Sequence, residues 1–214
     1  MLIIFANQKG GTGKSTLALL YAAYLNTYYK SRVCVLDMDG QHSLSQKAQK
    51  DGPVQDTLSY HLLPADLQDL EVARENLKEG EYDYVLVDLS SGRPNQELVA
   101  VYDTADAVVC PYHADELTLN GTLVFLKVFT NINDRAALFF VPNKVRRNAS
   151  EHTQKAVKSM LEKYGAVSSP LPDRPDFQRL NTQAGSVKAM ELVRAAFDEI
   201  HQGCLQHLHQ ISPK

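Results

Sequence analysis

The sequence predicts an α/β fold, a mostly parallel, twisted sheet with helices on both faces. Three observations carry that expectation. Strand-length apolar runs alternate with longer helical patterns from the first residue onward. The runs are almost continuously apolar, as parallel strands covered on both faces require. The first run also passes through a glycine-rich turn directly into the first helix. With 214 residues, 44% of them apolar and 22% charged, the chain has the composition of a globular protein and the length for a sizeable core.

Leu2–Ala6 reads as the first strand, Asn7–Gly13 as the turn, and Lys14 to about Tyr28 as the first helix. Arg32–Asp37 (RVCVLD) and Tyr84–Leu89 (YVLVDL) are the next confident strands, and Ala107–Pro111 and Ala136–Val141 complete a set of five. Helical patterns lie between them at Pro64–Lys78, Pro94–Tyr102, Leu117–Thr130 and Ser150–Tyr164. Strand and helix alternating in this way define a parallel sheet with crossover helices. A last helix, roughly Ser186–Gln210, sets Val187, Met190, Val193, Phe197, Ile200, Cys204, Leu208 and Ile211 at spacings of three and four, a stripe suited to packing on the sheet. Ser168–Gly185, with three prolines, is the one long irregular stretch. No linker or repeat interrupts the pattern, so residues 1–214 are expected to form a single domain.

Lys and Arg number 22 against 25 Asp and Glu, a net charge of −3 that excludes a polycation. No apolar run approaches the roughly 18 residues that span a bilayer. Met1 leads into Leu2-Ile3-Ile4-Phe5 without a basic leader, and the three cysteines, Cys34, Cys110 and Cys204, are too dispersed for a disulfide framework or a CxxC pair. A cytoplasmic chain is expected.

The sharpest feature is Lys9-Gly10-Gly11-Thr12-Gly13-Lys14-Ser15-Thr16 at the first strand-to-helix junction. Glycines let the backbone fold tightly enough for several N–H groups to converge on phosphate oxygens. The helix N-terminus behind them adds a favourable dipole. Lys14 can reach the β and γ phosphates of a nucleotide, and the Ser15 hydroxyl can join the shell of a Mg²⁺ ion. A turn that merely caps a helix has no need of the GK[ST] ending. The usual GxxxxGK[ST] loop has glycine where Gln8 stands, and that departure is informative.

The KGGxGK[ST][ST] form, and ANQKGGTGKST as a whole, resembles the deviant Walker A loop of the ParA/MinD family. The resemblance implies a P-loop NTPase-like fold and an ATPase that is weak, Mg²⁺-dependent and stimulated by a partner. It implies that Lys9 crosses the interface of an ATP-bound homodimer to the partner's nucleotide, as an arginine finger does. Lys14 and Asp39 complete the catalytic set, and Gly10, Gly11, Thr12, Gly13, Lys14, Ser15 and Thr16 hold the ATP.

Further carboxylates fit this reading. Leu36-Asp37-Met38-Asp39-Gly40-Gln41 ends the second strand, where α/β proteins bind ligands, and alternation sends Asp37 and Asp39 to one side. The resemblance implies that Asp39 orients the attacking water while Asp37 supports Mg²⁺ through its waters. Gly40 stands where many relatives have proline. Tyr82–Asp88 has the form of a Walker B strand, its Asp88 delivered beside Ser15 to hold a Mg²⁺-bound water. The run Asp88-Leu89-Ser90-Ser91-Gly92 departs from the proline-containing turn common in the family. Metal contacts are thus expected at Ser15, Asp37 and Asp88. Asn143, after the fifth strand, can read a base edge. The resemblance suggests adenine, covered by Pro172 or Asp173.

Charge is unevenly distributed. Residues 127–188 carry 11 Lys and Arg against 5 acids, a balance of +6, and the remainder balances at −9. Lys144, Arg146 and Arg147 cluster in a loop, followed by Lys155 and Lys158 on the next helix. Such a face can bind DNA phosphates without sequence preference, and the resemblance strengthens that reading over a merely solvated surface. A ParA-type ATPase that partitions or positions plasmid, chromosome or other cargo through a small ParB-like adaptor, cytoplasmic and nucleoid-associated, is the leading expectation. The alternatives are a MinD-like membrane switch, or a small-molecule kinase or reductase on the same fold. The final helix opposes the membrane switch, because Ala195–Lys214 has Lys214 as its one fixed cation. Lys9 opposes the kinase, and the lack of a cysteine after Asp88 in the switch opposes an iron–sulfur reductase.

Overall fold

The first strand of the chain is the middle of the sheet. The computed structural model describes residues 1–40, 44–46, 60–91, 96–113, 115–146, 150–174, 177 and 187–211. Gln41, Gly92, Pro94, Arg147, Ser186 and residues 178–185, all read above, lie outside the described residues. Seven strands, β1 (Leu2–Phe5), β2 (Val33–Met38), β3 (His61–Pro64), β4 (Tyr84–Leu89), β5 (Ala107–Tyr112), β6 (Ala137–Pro142) and β7 (Ala166–Val167), pair in the order β3-β2-β4-β1-β5-β6-β7. Every pairing is parallel. Helices α1 (Lys14–Tyr29), α2 (Leu67–Lys78), α3 (Gln96–Thr104), α4 (Glu116–Ile132), α5 (Glu151–Leu161) and α6 (Val187–Ile211) cover the two faces.

Alternation along β1 divides the core in two. Ile3 and Phe5 pack with α1 and α6, whereas Leu2 and Ile4 pack with α2, α3, α4 and α5. Helix α1 is buried along Leu17–Leu25 on all sides, because the sheet lies against one flank and α6 against another. Tyr21 meets the edge of Phe197 at 5.0 Å between ring centroids, and the Tyr24 hydroxyl donates to Asp198. The apolar stripe expected of the last helix is spent on this contact: Met190, Val193, Phe197, Ile200 and Cys204 are all buried.

The five strands read from the sequence are all present, and two short ones extend the edges. β3 pairs Pro64 with Asp37, which corrects the helix expected over Pro64–Lys78. Proline suits the first turn of a helix, but here its missing N–H falls at the end of an edge strand, which tolerates the loss equally well. The helix instead starts after Asp66, whose carboxylate accepts from the backbone of Gln68 and Asp69 while its own N–H donates to the Asp69 carboxylate. β7 holds the far edge and turns the chain back toward the C-terminal ends of the strands.

Gly165, between α5 and β7, makes that turn possible: a Cβ there would stand 2.3 Å from the Leu138 carbonyl oxygen and 2.6 Å from Leu138 Cβ. Gly165→Ala therefore forces the edge strand off β6 and is expected to lower stability by about 1–3 kcal/mol. Urea denaturation checks this, and an unchanged midpoint would show that the strand shifts without strain.

Candidate nucleotide site

The turn after β1 is fastened from below before it can bind anything. Asn7 is buried, its Nδ2 donating to Pro111 O and Thr122 Oγ1 at 2.9 Å each, while its Oδ1 accepts from Lys9 N at 3.0 Å. One side chain thus joins β1, β5, α4 and the loop. Gly121 of α4 lets the loop sit close, since a Cβ there would lie 3.1 Å from Lys9 Cβ. Gly11 and Gly13 adopt φ of 75° and 102°, a left-handed backbone that favours glycine. Gly13 caps α1 without a side-chain bond, and the first turn carries no acid, so the helix N-terminus remains open to an anion.

A cavity of about 320 Å³ lies over this loop, lined by Gly11, Gly13, Lys14, Ser15 and Thr16, by Asp39 after β2, and by Ser91 after β4. Asn143 and Lys144 after β6, and Asp173 beyond β7, close the other side. Lys14 is buried, with Nζ donating to Ser91 Oγ. Burial lowers its pKa, opposed by the charges of Asp88 and Asp39. Asp37 and Asp88 are register partners on β2 and β4, and both are fully buried. Asp37 Oδ2 accepts from Ser45 N at 2.9 Å and Oδ1 from Asp39 N at 3.3 Å. Burial raises the Asp88 carboxyl to about 7, with Asp37 and Asp39 adding to the rise, against the Ser15 hydrogen bond and Lys14 charge that lower it. Asp88 Oδ1 has no hydrogen-bond partner among the described residues. An orphaned buried carboxylate oxygen beside a serine hydroxyl suits a hard divalent cation.

The remaining site residues from the sequence fall in different places. Thr12 is buried under the loop, its hydroxyl donating to Lys9 O at 3.4 Å. Gly10 is exposed and faces Ser91. Lys9 is exposed, lines no part of the cavity above its own loop, and its ammonium makes no bond among the described residues. Asn143 lines the cavity, yet its Nδ2 donates to Thr12 O at 2.7 Å and its Oδ1 accepts from Lys144 N at 2.9 Å. Pro172 forms a bridge with Val145, and its neighbour Asp173 is the residue that lines the cavity.

The basic residues take different partners. Lys144 turns to the phosphate loop, Nζ donating to Gly11 O at 2.8 Å. Arg146 pairs with Asp173 at 3.7 Å. Lys155 and Lys158 stand on α5, each beside an acid one helical turn away, Glu151 and Glu162. Arg147 lies outside the described residues. Sequence reading missed Asn7, Ser91 and Gly121. Of these, Asn7 alone carried a signal, as an amide at the end of a buried strand.

A glycine-rich loop between a central parallel strand and an uncapped helix, with carboxylates at two adjoining strand ends, defines a phosphate-binding α/β protein of the P-loop class. The chain belongs to the family of the CobQ/CobB/MinD/ParA nucleotide binding domain, whose model matches residues 3–186. It is 34% identical over 155 residues to the chromosome-partitioning ATPase Soj of Thermus thermophilus, a match that takes in 61% of each chain. It superposes on a chain of the MinC:MinD cell division protein complex of Aquifex aeolicus with a TM-score of 0.72, at 18% identity over 100% of this chain and 98% of that one. The septum site-determining protein MinD of Pyrococcus horikoshii, solved with Mg-ADP, gives 0.68 at 18% identity over 93% and 95%. At these identities the two structures speak for the fold, and they share the P-loop NTPase-like architecture expected from the sequence.

Lys14 is the one lysine buried at the loop. Lys14→Ala is expected to weaken nucleotide binding by about tenfold to hundredfold, the worth of a charge-assisted bond in a desolvated site. Isothermal titration with ATP reads this, and an affinity within twofold of the unaltered protein would contradict it.

Proposed function

We propose that this chain is a ParA-type ATPase, an ATP-gated homodimer that binds DNA without sequence preference and partitions or positions a cargo. The observation that carries the proposal is the contrast between the two loop lysines. Lys14 is buried on the chain's own cavity, and Lys9 is exposed and off it. A cation presented outward from the loop suits a nucleotide held by a second subunit, which makes hydrolysis conditional on dimerisation. Lys14 and the loop N–H groups take the phosphates, and Asp39, on the cavity wall, orients the attacking water. Ser15, Asp37 and Asp88 would hold Mg²⁺, the carboxylates through water. The ion would neutralise charge on the phosphates. Asn143 and Asp173, on the same side of the cavity, would border the adenine by contact, since the Asn143 amide is already bonded to Thr12 O and Lys144 N.

Residues 1–214 act as one unit, a reading supported by the continuous sheet. The working location is the cytoplasm at the nucleoid, and the partner is a small ParB-like adaptor. Among the described residues no helix is long and apolar enough to cross a membrane. The burial of the α6 stripe also argues against a membrane-anchored switch, because the apolar face is already covered. Lys155 and Lys158 on α5, with Arg146 before it, offer a modest set of exposed cations. Two such sets in an ATP-bound dimer bind DNA far more than twice as tightly as one.

Lys9→Ala is expected to keep ATP binding within about twofold, the tolerance for an exposed side chain outside the cavity, and to lose the ATP-dependent dimer and its hydrolysis. Light scattering and phosphate release test this. A variant that dimerises and hydrolyses normally removes the trans role of Lys9. Lys155→Ala with Lys158→Ala removes two cations from each subunit of the dimer, and should lower DNA affinity and reduce the log–log salt slope by about 4, leaving dimerisation intact. Equal binding across a salt series moves the DNA face elsewhere.

A further inference from the structure

Two adjacent residues from one end of β6 grip two adjacent peptide units of the phosphate loop, more than 130 positions away in the chain. Asn143 Nδ2 donates to Thr12 O at 2.7 Å and Lys144 Nζ donates to Gly11 O at 2.8 Å. The grip has a strained backbone behind it. Lys144 sits at φ 54°, in the left-handed region that lysine seldom adopts, and its N–H is held there by Asn143 Oδ1 at 2.9 Å. The fit is close, since a Cβ on Gly13 would meet Asn143 Nδ2 at 2.3 Å.

In a trans peptide the C=O and the following N–H point in opposite directions. A bond that draws Gly11 O outward therefore turns the Thr12 N–H inward, and a bond that draws Thr12 O outward does the same for the Gly13 N–H. The left-handed Gly11 and Gly13 on either side of Thr12 give the alternation that makes successive N–H groups converge on an anion. We propose that Asn143 and Lys144 form a two-point clamp that aims the Thr12 and Gly13 N–H groups at phosphate, and that Lys144 is a positioning residue of the nucleotide site rather than part of a DNA-binding face. The clamp rests on the loop being the nucleotide site and is independent of dimer and DNA. Its ligand is the phosphate chain, whatever base is attached.

Lys144→Asn tests this, because asparagine is at ease at positive φ and lacks the reach to Gly11. Lys144 is exposed, so the variant folds, and its melting temperature without ligand should match that of the unaltered protein. Binding of Mg²⁺-ATP and, by competition, of inorganic tripolyphosphate is measured for the unaltered protein, Lys144→Asn and Lys144→Arg at low and high salt. The expected result is an equal loss of about tenfold for both ligands in Lys144→Asn, persisting at high salt and mostly restored by arginine. Undiminished binding by Lys144→Asn overturns the clamp. So does a loss confined to ATP, which would mark a contact with base or sugar, and so does a loss that vanishes at high salt, which would leave only a distant charge. Tripolyphosphate that fails to compete on the unaltered protein overturns it too. An unaltered protein that binds no ATP refutes the nucleotide reading itself.

Discussion

The β2–β4 pairing sets Asp37 directly beside Asp88, and both are buried. Two carboxylates at that spacing in a desolvated place repel each other and are poorly solvated, so the surroundings must offset the charge. The protein does this with a buried ammonium from the start of α1, two backbone N–H groups on Asp37 and a serine hydroxyl on Asp88. What is left over, an unbonded Asp88 oxygen, is the part that a divalent cation is suited to satisfy. Sheet order is thus the first determinant of the chemistry. With β1 between β4 and β5, the phosphate loop rises immediately beside the strand that carries Asp88.

The second determinant is that the loop has no stability of its own. Its glycines have the greatest backbone freedom to lose, and its N–H groups must converge against their mutual repulsion. Asn7 fixes it from below, Gly121 permits α4 to press on it, and Asn143 with Lys144 holds its outer carbonyls. Each support comes from a different strand end or helix. The precision of the site is borrowed from the rigidity of the sheet.

Much of this was legible in the sequence, and the boundary has a physical basis. Long apolar runs such as Tyr84–Leu89 declare themselves because both of their faces are buried, and the loop declares itself because GK[ST] has a fixed offset from β1. β3 did not, since it is a four-residue, largely exposed edge strand, too short for an alternation to show, and its final Pro64 mimics a helix start. β7 is two residues long. The roles of Ser91 and Gly121 depend on contacts with a loop more than 70 positions away, which no local pattern records. Lys144 was read from its basic neighbours as surface charge. One left-handed residue reverses its direction, and charge counts along a chain carry no direction.

The order of synthesis gives the Thr12–Asn143 bond a further consequence. The loop is made 131 residues before its brace. The central strand it follows cannot be flanked until β4 and β5 have also emerged. Until then β1 is an apolar strand with two open edges, and the loop is an unformed glycine turn. Until residues 143 and 144 are made, the phosphate seat lacks its outer support. Closing such distant contacts is slow, and the exposed strand is meanwhile available to other chains. The arrangement that gives the finished protein its phosphate grip thus leaves the growing one with an open strand for the whole interval between loop and brace.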